Sequence, residues 1–175
     1  LDRVVAEDAL AALDELAAEA GLDRENVATF GTELGGYLAL RLMQQHPERI
    51  RAVVALDPVT SLSNWVKASA SSSQLLNLHS ANRRIFFGED EKRLKAQSPD
   101  ANAGRLTKPV MLVALSGYPP EGVDPRKLRS LVRSAGQTPR WIDKTNQRGD
   151  PSYRAGLFAE IEEFLVRELD GNRSH

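Results

Sequence analysis

The run Gly31-Thr32-Glu33-Leu34-Gly35-Gly36 has the spacing of a nucleophile elbow, the strand-to-helix turn written G-x-S-x-G. Such a turn raises one side chain clear of the backbone. A serine normally stands there, and here the residue is Glu33. A carboxylate in that place has three courses open to it. It can act as a nucleophile and form an ester, which still requires a base to activate the hydrolytic water. It can pair with a cation that offsets the cost of partial burial. Or it can stand as an acidic residue on a turn that has lost its chemistry. The histidines are His46, His79 and His175. His46 closes the helix that follows the turn, about three turns on and so roughly 20 Å from Glu33. His79 falls in an irregular segment and His175 is the last residue. Cysteine is absent, which removes thiol nucleophiles, disulfides and thiolate metal sites. Asp143, Asp150 and Glu33 lack the histidine spacing of a metal centre. No metal and no cofactor are expected. Gly31 and Gly35 also have a reading that needs no chemistry: in a tight turn with the helix close on the sheet, side chains at 31 and 35 would clash. Gly36 completes the glycine set of the elbow.

The elements that would carry this turn alternate. Residues 4–20 predict a helix, with Leu10, Leu13, Leu16, Ala17 and Ala20 at helical spacing and Gly21 as its cap. "NVATF" (26–30) predicts a strand running into the turn, and 35–46 a helix stopped by Pro47. "IRAVVALDP" (50–58) is apolar on both faces, as in a buried parallel strand. Residues 59–108 are less regular and lid-like, with a loop at 69–74 and a short surface helix at 89–97. The mixture of aromatics and charges in "RRIFFGEDEKR" (83–93) suggests an amphipathic lid helix, and Trp65 suits either a pocket wall or lid packing. "KPVMLVAL" (108–115) predicts a third strand, with an antiparallel edge as the alternative. Asp124 and Pro125 cap a helix running to Gly136. "PRWID" (139–143) predicts a fourth strand, 145–152 a loop, and 153–169 a helix with Leu157, Ile161, Phe164 and Leu165 on one face. The order specifies an α/β domain with a mostly parallel sheet and flanking helices.

Composition narrows the classes. The chain has 175 residues, 41% hydrophobic and 27% charged, as expected of one soluble domain. A net charge of −1 gives no reason to expect nucleic acid or an anionic membrane as partner. No apolar run approaches the roughly 20 residues that span a bilayer. A soluble, cytoplasmic protein is favoured, although the absence of cysteine suits any compartment. The RGD at 148–150 reads as a surface loop.

Several segments in order resemble the prolyl oligopeptidase family of serine peptidases, which includes the acylaminoacyl and dipeptidyl peptidases. They are "DALAALDELAAEAGLDRENVATFG", "GTELGGYLAL" followed by "HPERIRAVVALDPVTSLSNW", "SPDANAGRLTKPVMLV", and "DPRKLRSLVRSAGQ" with the strand, loop and helix after it. The resemblance covers nearly the whole chain and implies the C-terminal part of an α/β-hydrolase fold, as one partial domain over 1–175. It also implies positions for a catalytic triad, and the chain departs from all three. The nucleophile position holds Glu33. The aspartate position falls near Tyr118, in "SGYPPEG". The histidine position falls on or beside Arg148, in "TNQRGD". One oxyanion-hole donor would be the backbone N–H of Leu34; the other belongs to a part of the fold that precedes this sequence.

These departures predict a peptidase-like domain that has lost serine-hydrolase activity and serves a structural or binding role, with a peptide as one possible ligand. The alternative is an active peptidase or esterase using Glu33 or a site completed by another chain. Glu33 and Arg148, standing where a nucleophile and its base would meet, are expected to form an ion pair. The chain starts at Leu1, which hints at a fragment or processed product. The edge near Val27–Phe30 is expected to be open and apolar, and to pair with a second copy or a missing N-terminal part of the same protein.

Overall fold

The structure, a computed structural model, describes residues 2–68, 82–115, 121–145 and 152–170. Four strands, β1 (Ala28–Thr32), β2 (Ala52–Leu56), β3 (Val110–Ala114) and β4 (Arg140–Asp143), form one parallel sheet in the order β1-β2-β3-β4. The third strand is therefore interior and parallel. Its five residues are all buried, which explains why its sequence lacks the polar alternation of an edge.

The helices are α1 (Asp2–Ala20), α2 (Leu34–Gln45), α3 (Leu62–Lys67), α4 (82–87), α5 (Glu91–Ala96), α6 (Pro125–Ser134) and α7 (Ser152–Asp170), with a 3₁₀ turn at Asp100–Arg105. Successive strand residues serve opposite faces. Val53, Ala55, Val110 and Leu112 pack against Leu40 and Met43 of α2 and Leu128 and Val132 of α6. Ala52, Val54, Met111, Val113 and Ile142 pack against Leu157, Ile161 and Phe164 of α7, the stripe expected of that helix.

Three details differ from the sequence reading. In α1 the buried stripe is Ala6, Leu10 and Ala17, while Leu16 is 58% exposed. The stretch 83–93 is two short helices rather than one. Gly88, at φ 76°, breaks the path, and the Asp90 carboxylate then accepts the Arg93 N–H at 3.2 Å to start α5. The segment after β2 is also better tied than its composition suggests. Buried Gln44 donates to the carbonyls of Pro99 and Asn102, both at 3.0 Å, and accepts from Arg41. Ser98 Oγ accepts the Leu62 N–H and donates to Leu94 O, both at 2.9 Å. These bonds tie the irregular chain to the last turn of α2 and join α3 to α5.

Candidate functional site

β1 ends at Thr32, α2 starts at Leu34, and the whole reversal falls on Glu33. Its backbone sits at φ 48° and ψ −112°, a conformation that costs a non-glycine residue about 1–3 kcal/mol. Three hydrogen bonds hold it there. The Glu33 N–H donates to Leu56 O at 2.9 Å, and its carbonyl accepts from Tyr37 N at 3.0 Å and Val59 N at 3.1 Å. A strained strand-to-helix turn thus carries a carboxylate. The side chain of Glu33 is exposed, not set in a semi-buried crevice.

The glycines divide. A Cβ on Gly31 would lie 2.3 Å from the carbonyl carbon and oxygen of Gly35, so position 31 admits no side chain. A Cβ on Gly36 would meet the Pro58 Cβ at 3.0 Å. A Cβ on Gly35 meets nothing within 4 Å, so the expected clash at 35 does not occur. It is the Gly35 backbone, rather than a side chain there, that presses on Gly31. Leu34 opens α2, where backbone N–H groups have no acceptor within the helix.

Tyr118, Arg148 and Asp150 lie outside the described residues, and with them the Glu33–Arg148 pair and the RGD tripeptide. A cation within electrostatic range of Glu33 is Arg83, on α4. Partial burial draws the Arg83 guanidinium below its ordinary range, and the Glu33 charge pulls the other way. Arg83 lies 4.2 Å from the centroid of the Trp65 ring and donates from Nη1 to Trp65 O at 3.0 Å. Trp65 meets Phe87 edge to face at 5.8 Å, and Phe87 meets Tyr37 at 6.2 Å. This aromatic chain joins α3 and α4 to α2. Gly122, at φ 84°, closes the far side, and a Cβ there would fall 2.5 Å from the Trp65 Cβ. Trp65 is accordingly packed among Arg83, Phe87 and Gly122, half-buried beneath Arg83. His46 caps the far end of α2, 3.7 Å from Glu48, away from the elbow.

Sequence reasoning missed Asp57. It follows β2 as Glu33 follows β1, and the register Thr32↔Leu56 sets the two side by side at the carboxyl ends of adjacent strands. It is the other described non-glycine residue with positive φ, at 39°. Its carboxylate accepts the Leu115 N–H at 2.9 Å, and its own N–H donates to Val113 O. The signal available was "LDP" closing an apolar strand directly after the elbow unit. Arg83 carried a weaker signal, in the aromatic-basic run that follows Trp65. Among the described residues, no three histidine, cysteine, aspartate or glutamate side chains are grouped to hold a metal ion. Asp143 instead pairs with Arg126 at 2.9 Å.

The sequence profile of the prolyl oligopeptidase family matches residues 1–115, a span that contains the β1–α2 turn, β2 and the aromatic cluster around Trp65. The chain belongs to the prolyl oligopeptidase family. Its fold is similar to that of the acylaminoacyl peptidase of Pyrococcus horikoshii, with a TM-score of 0.74 and 20% identity over 100% of this chain and 30% of that one. It is also similar to dipeptidyl peptidase 4 of Porphyromonas gingivalis, with a TM-score of 0.71 and 16% identity over 94% of this chain and 22% of that one. A puromycin-hydrolyzing peptidase of Mycobacterium tuberculosis matches with a TM-score of 0.62 and 20% identity over 79% of this chain and 20% of that one. The chain thus spans less than a third of the length of these solved peptidases, and at such identities the likeness is one of fold. No curated protein sequence matches it. Within the family, this is a peptidase-like domain with a glutamate on the turn between β1 and α2. Among the described residues no helix is long and apolar enough to cross a membrane.

Proposed function

We propose that this prolyl oligopeptidase-family domain has lost serine-hydrolase activity and works as a structural or binding module. The observation that carries the reading is the elbow itself: its strained turn is kept, yet the raised residue is an exposed glutamate near Arg83. The sequence adds support. Residues 116–121, where the family resemblance puts an aspartate, read Ser-Gly-Tyr-Pro-Pro-Glu, and residues 145–151 contain no histidine. Losing the nucleophile of a serine hydrolase lowers turnover by a factor of about a million, and further losses in the same triad add little. A peptide is the ligand class favoured for the lid side of the sheet, because the similar solved proteins are named as peptidases.

A second reading keeps activity through Glu33 acting as nucleophile, or through a site completed by another chain. Its support is the exposure of the carboxylate and the placing of the Leu34 N–H beside it. Hydrolysis of an activated ester and an aminoacyl amide, measured for the parent, Glu33→Ala and Glu33→Ser, separates the two. The first reading expects all three at background. Turnover by the parent that Glu33→Ala abolishes would overturn it and establish the second.

The partner reading is that β1 takes a further strand along its outer edge, supplied by a second copy or by another part of the same protein. Phe30 is 49% exposed there, and Val5, Ala9, Phe30, Leu38 and Leu42 line an adjoining apolar groove of about 290 Å³. Sedimentation velocity over a concentration series, with Phe30→Asp beside the parent, tests self-association. A parent that dimerises and a variant that does not are expected; a monomer throughout rules out the second copy.

A further inference from the structure

A net charge of −1 conceals two strongly charged helices. α1 carries six acidic residues and one arginine, and α6 carries four basic residues and no acidic one. Both lie on the α2 side of the sheet, toward its opposite edges. α1 follows the outer flank of α2, across the groove that Val5 and Ala9 share with Phe30 and Leu38. α6 packs through Leu128 and Val132 beside β3, and its Arg129 lies 5.1 Å from the ring centroid of Trp141 on β4. The two helices run the same way. α1 passes from Val5, which shares its groove with Gly35 beyond the carboxyl end of β1, to Asp14, paired with Arg49 ahead of β2. α6 passes from Asp124, whose N–H donates to Thr60 Oγ1 beyond β2, to the turn that precedes β4.

The outer faces of these helices match in charge and in spacing. Asp8 and Glu15 on α1, and Arg126 and Arg133 on α6, are exposed. Each pair is separated by two helical turns, about 10.5 Å. Small exposed residues lie between them, Ala11 and Ala12 on α1 and Ser130 on α6. Asp8, Ala11, Ala12 and Glu15 line a shallow groove along α1. Small residues let two helices approach to about 8–10 Å. Among the described residues, Asp8, Glu15 and Arg133 have no ion pair, and Arg126 meets Asp143 and Thr145 through Nη2 alone. Both edges of the sheet are open as well, since β1 pairs with β2 only and β4 with β3 only. A copy displaced sideways along the sheet sets its β1 parallel to its neighbour's β4. The same displacement sets its α1 beside the neighbour's α6, with Asp8 toward Arg126 and Glu15 toward Arg133.

We propose that copies of this chain associate head to tail, the acidic outer face of α1 on one copy docking against the basic outer face of α6 on the next. The strand added at the edge of β1 is then β4 of that next copy. This rests on the partner reading above and names its strand. Charge selects the arrangement. A two-fold dimer through β1 alone would set α1 against α1 and oppose like charges, which is costly. The head-to-tail contact joins two different surfaces, so each copy keeps one of each free and the assembly lengthens with concentration.

Sedimentation velocity over a concentration series, at low and at high salt, tests this with Glu15→Lys, Arg133→Glu and the chain carrying both changes. Both positions are exposed, so the variants keep the fold. The parent should self-associate, and salt should weaken that association. Each single change should raise the dissociation constant about tenfold, because a reversal turns an attraction into a repulsion. The double variant merely exchanges the two charges and should regain the parent's association. A parent that stays monomeric overturns the proposal and leaves another part of the same protein as the partner of β1. Self-association that neither single change weakens also overturns it, and leaves a second copy bound in another way. Single changes that weaken association without recovery in the double variant show that Glu15 and Arg133 do not meet, and overturn it too.

Discussion

Two glycines four residues apart should respond in opposite directions to the same methyl group. In Gly31→Ala the new Cβ would lie 2.3 Å from the Gly35 carbonyl carbon and oxygen and 2.7 Å from the Gly36 nitrogen. Ordinary contact begins near 3.4 Å, so the overlap exceeds an ångström, and every atom it meets is backbone. No side-chain rotation relieves it; the turn must open. Opening pulls on the Glu33 N–H bond to Leu56 and the Val59 N–H bond to Glu33. With about 1 kcal/mol for each bond and about 1–3 kcal/mol for overpacking, the loss is about 3–5 kcal/mol. In a domain of this size that is roughly 10 °C in Tm. Gly35→Ala puts its methyl into open space on the first turn of α2 and removes backbone freedom from the unfolded chain. It should stabilise by about 0.5–1 kcal/mol. Urea denaturation of the three proteins, with equal m-values, is the assay. Similar losses for both variants, or a loss below about 1 kcal/mol for Gly31→Ala, would refute the account of the turn.

Glu33→Gly should stabilise by up to about 1 kcal/mol, because glycine accepts φ 48° without strain; a loss of that size in urea denaturation would contradict this. Asp57→Asn should cost under about 0.5 kcal/mol, since asparagine keeps the acceptor for Leu115 N–H and tolerates positive φ, whereas Asp57→Ala should cost about 2 kcal/mol; equal losses would remove the proposed role. Asp143 is held below its ordinary carboxylate range, first by the Thr145 hydroxyl and less by the Thr145 N–H and Arg126. Its folded pKa being the lower, the stability it contributes is present above the unfolded carboxylate pKa and fades as pH falls through the folded value. NMR titration should show Thr145→Val raising the Asp143 pKa more than Arg126→Ala does, and the reverse order would place the cause elsewhere.

The fold was legible because its signals are strong where burial is complete. β2 and β3 read as continuous apolar runs and proved buried on both faces. Asp124 and Pro125 announced α6, and the Asp124 carboxylate does accept the Lys127 N–H at 2.8 Å. Legibility failed where the decisive neighbour is distant in sequence. Nothing local to Gly35 shows that its backbone, not its side chain, is what Gly31 must avoid. Asp57 looked like the end of a strand, because its partner Leu115 lies 58 residues away and the backbone sign of φ leaves no trace in composition. Leu16 kept helical spacing but lies beyond the arc that α2 covers, so periodicity alone placed it inside. Arg83 reaches the elbow through the stacking of α4 on Trp65, a tertiary contact.

The elbow also constrains how such a turn can change over evolutionary time. Its parts interlock through backbone atoms: the bare Cα of Gly31 against Gly35, and the Glu33 amide and carbonyl against β2, α2 and the chain after β2. The side chain at 33 points outward and takes no part in that lock. A single codon change there can therefore exchange one reactive group for another, or for none, while the architecture survives intact. A saturation library at position 33 should be nearly flat in folding yield, apart from a gain at glycine and losses at proline and the β-branched residues. A library at position 31 should tolerate glycine alone. The shape of this turn is held by backbone atoms, and the group it presents is set by a side chain outside that hold.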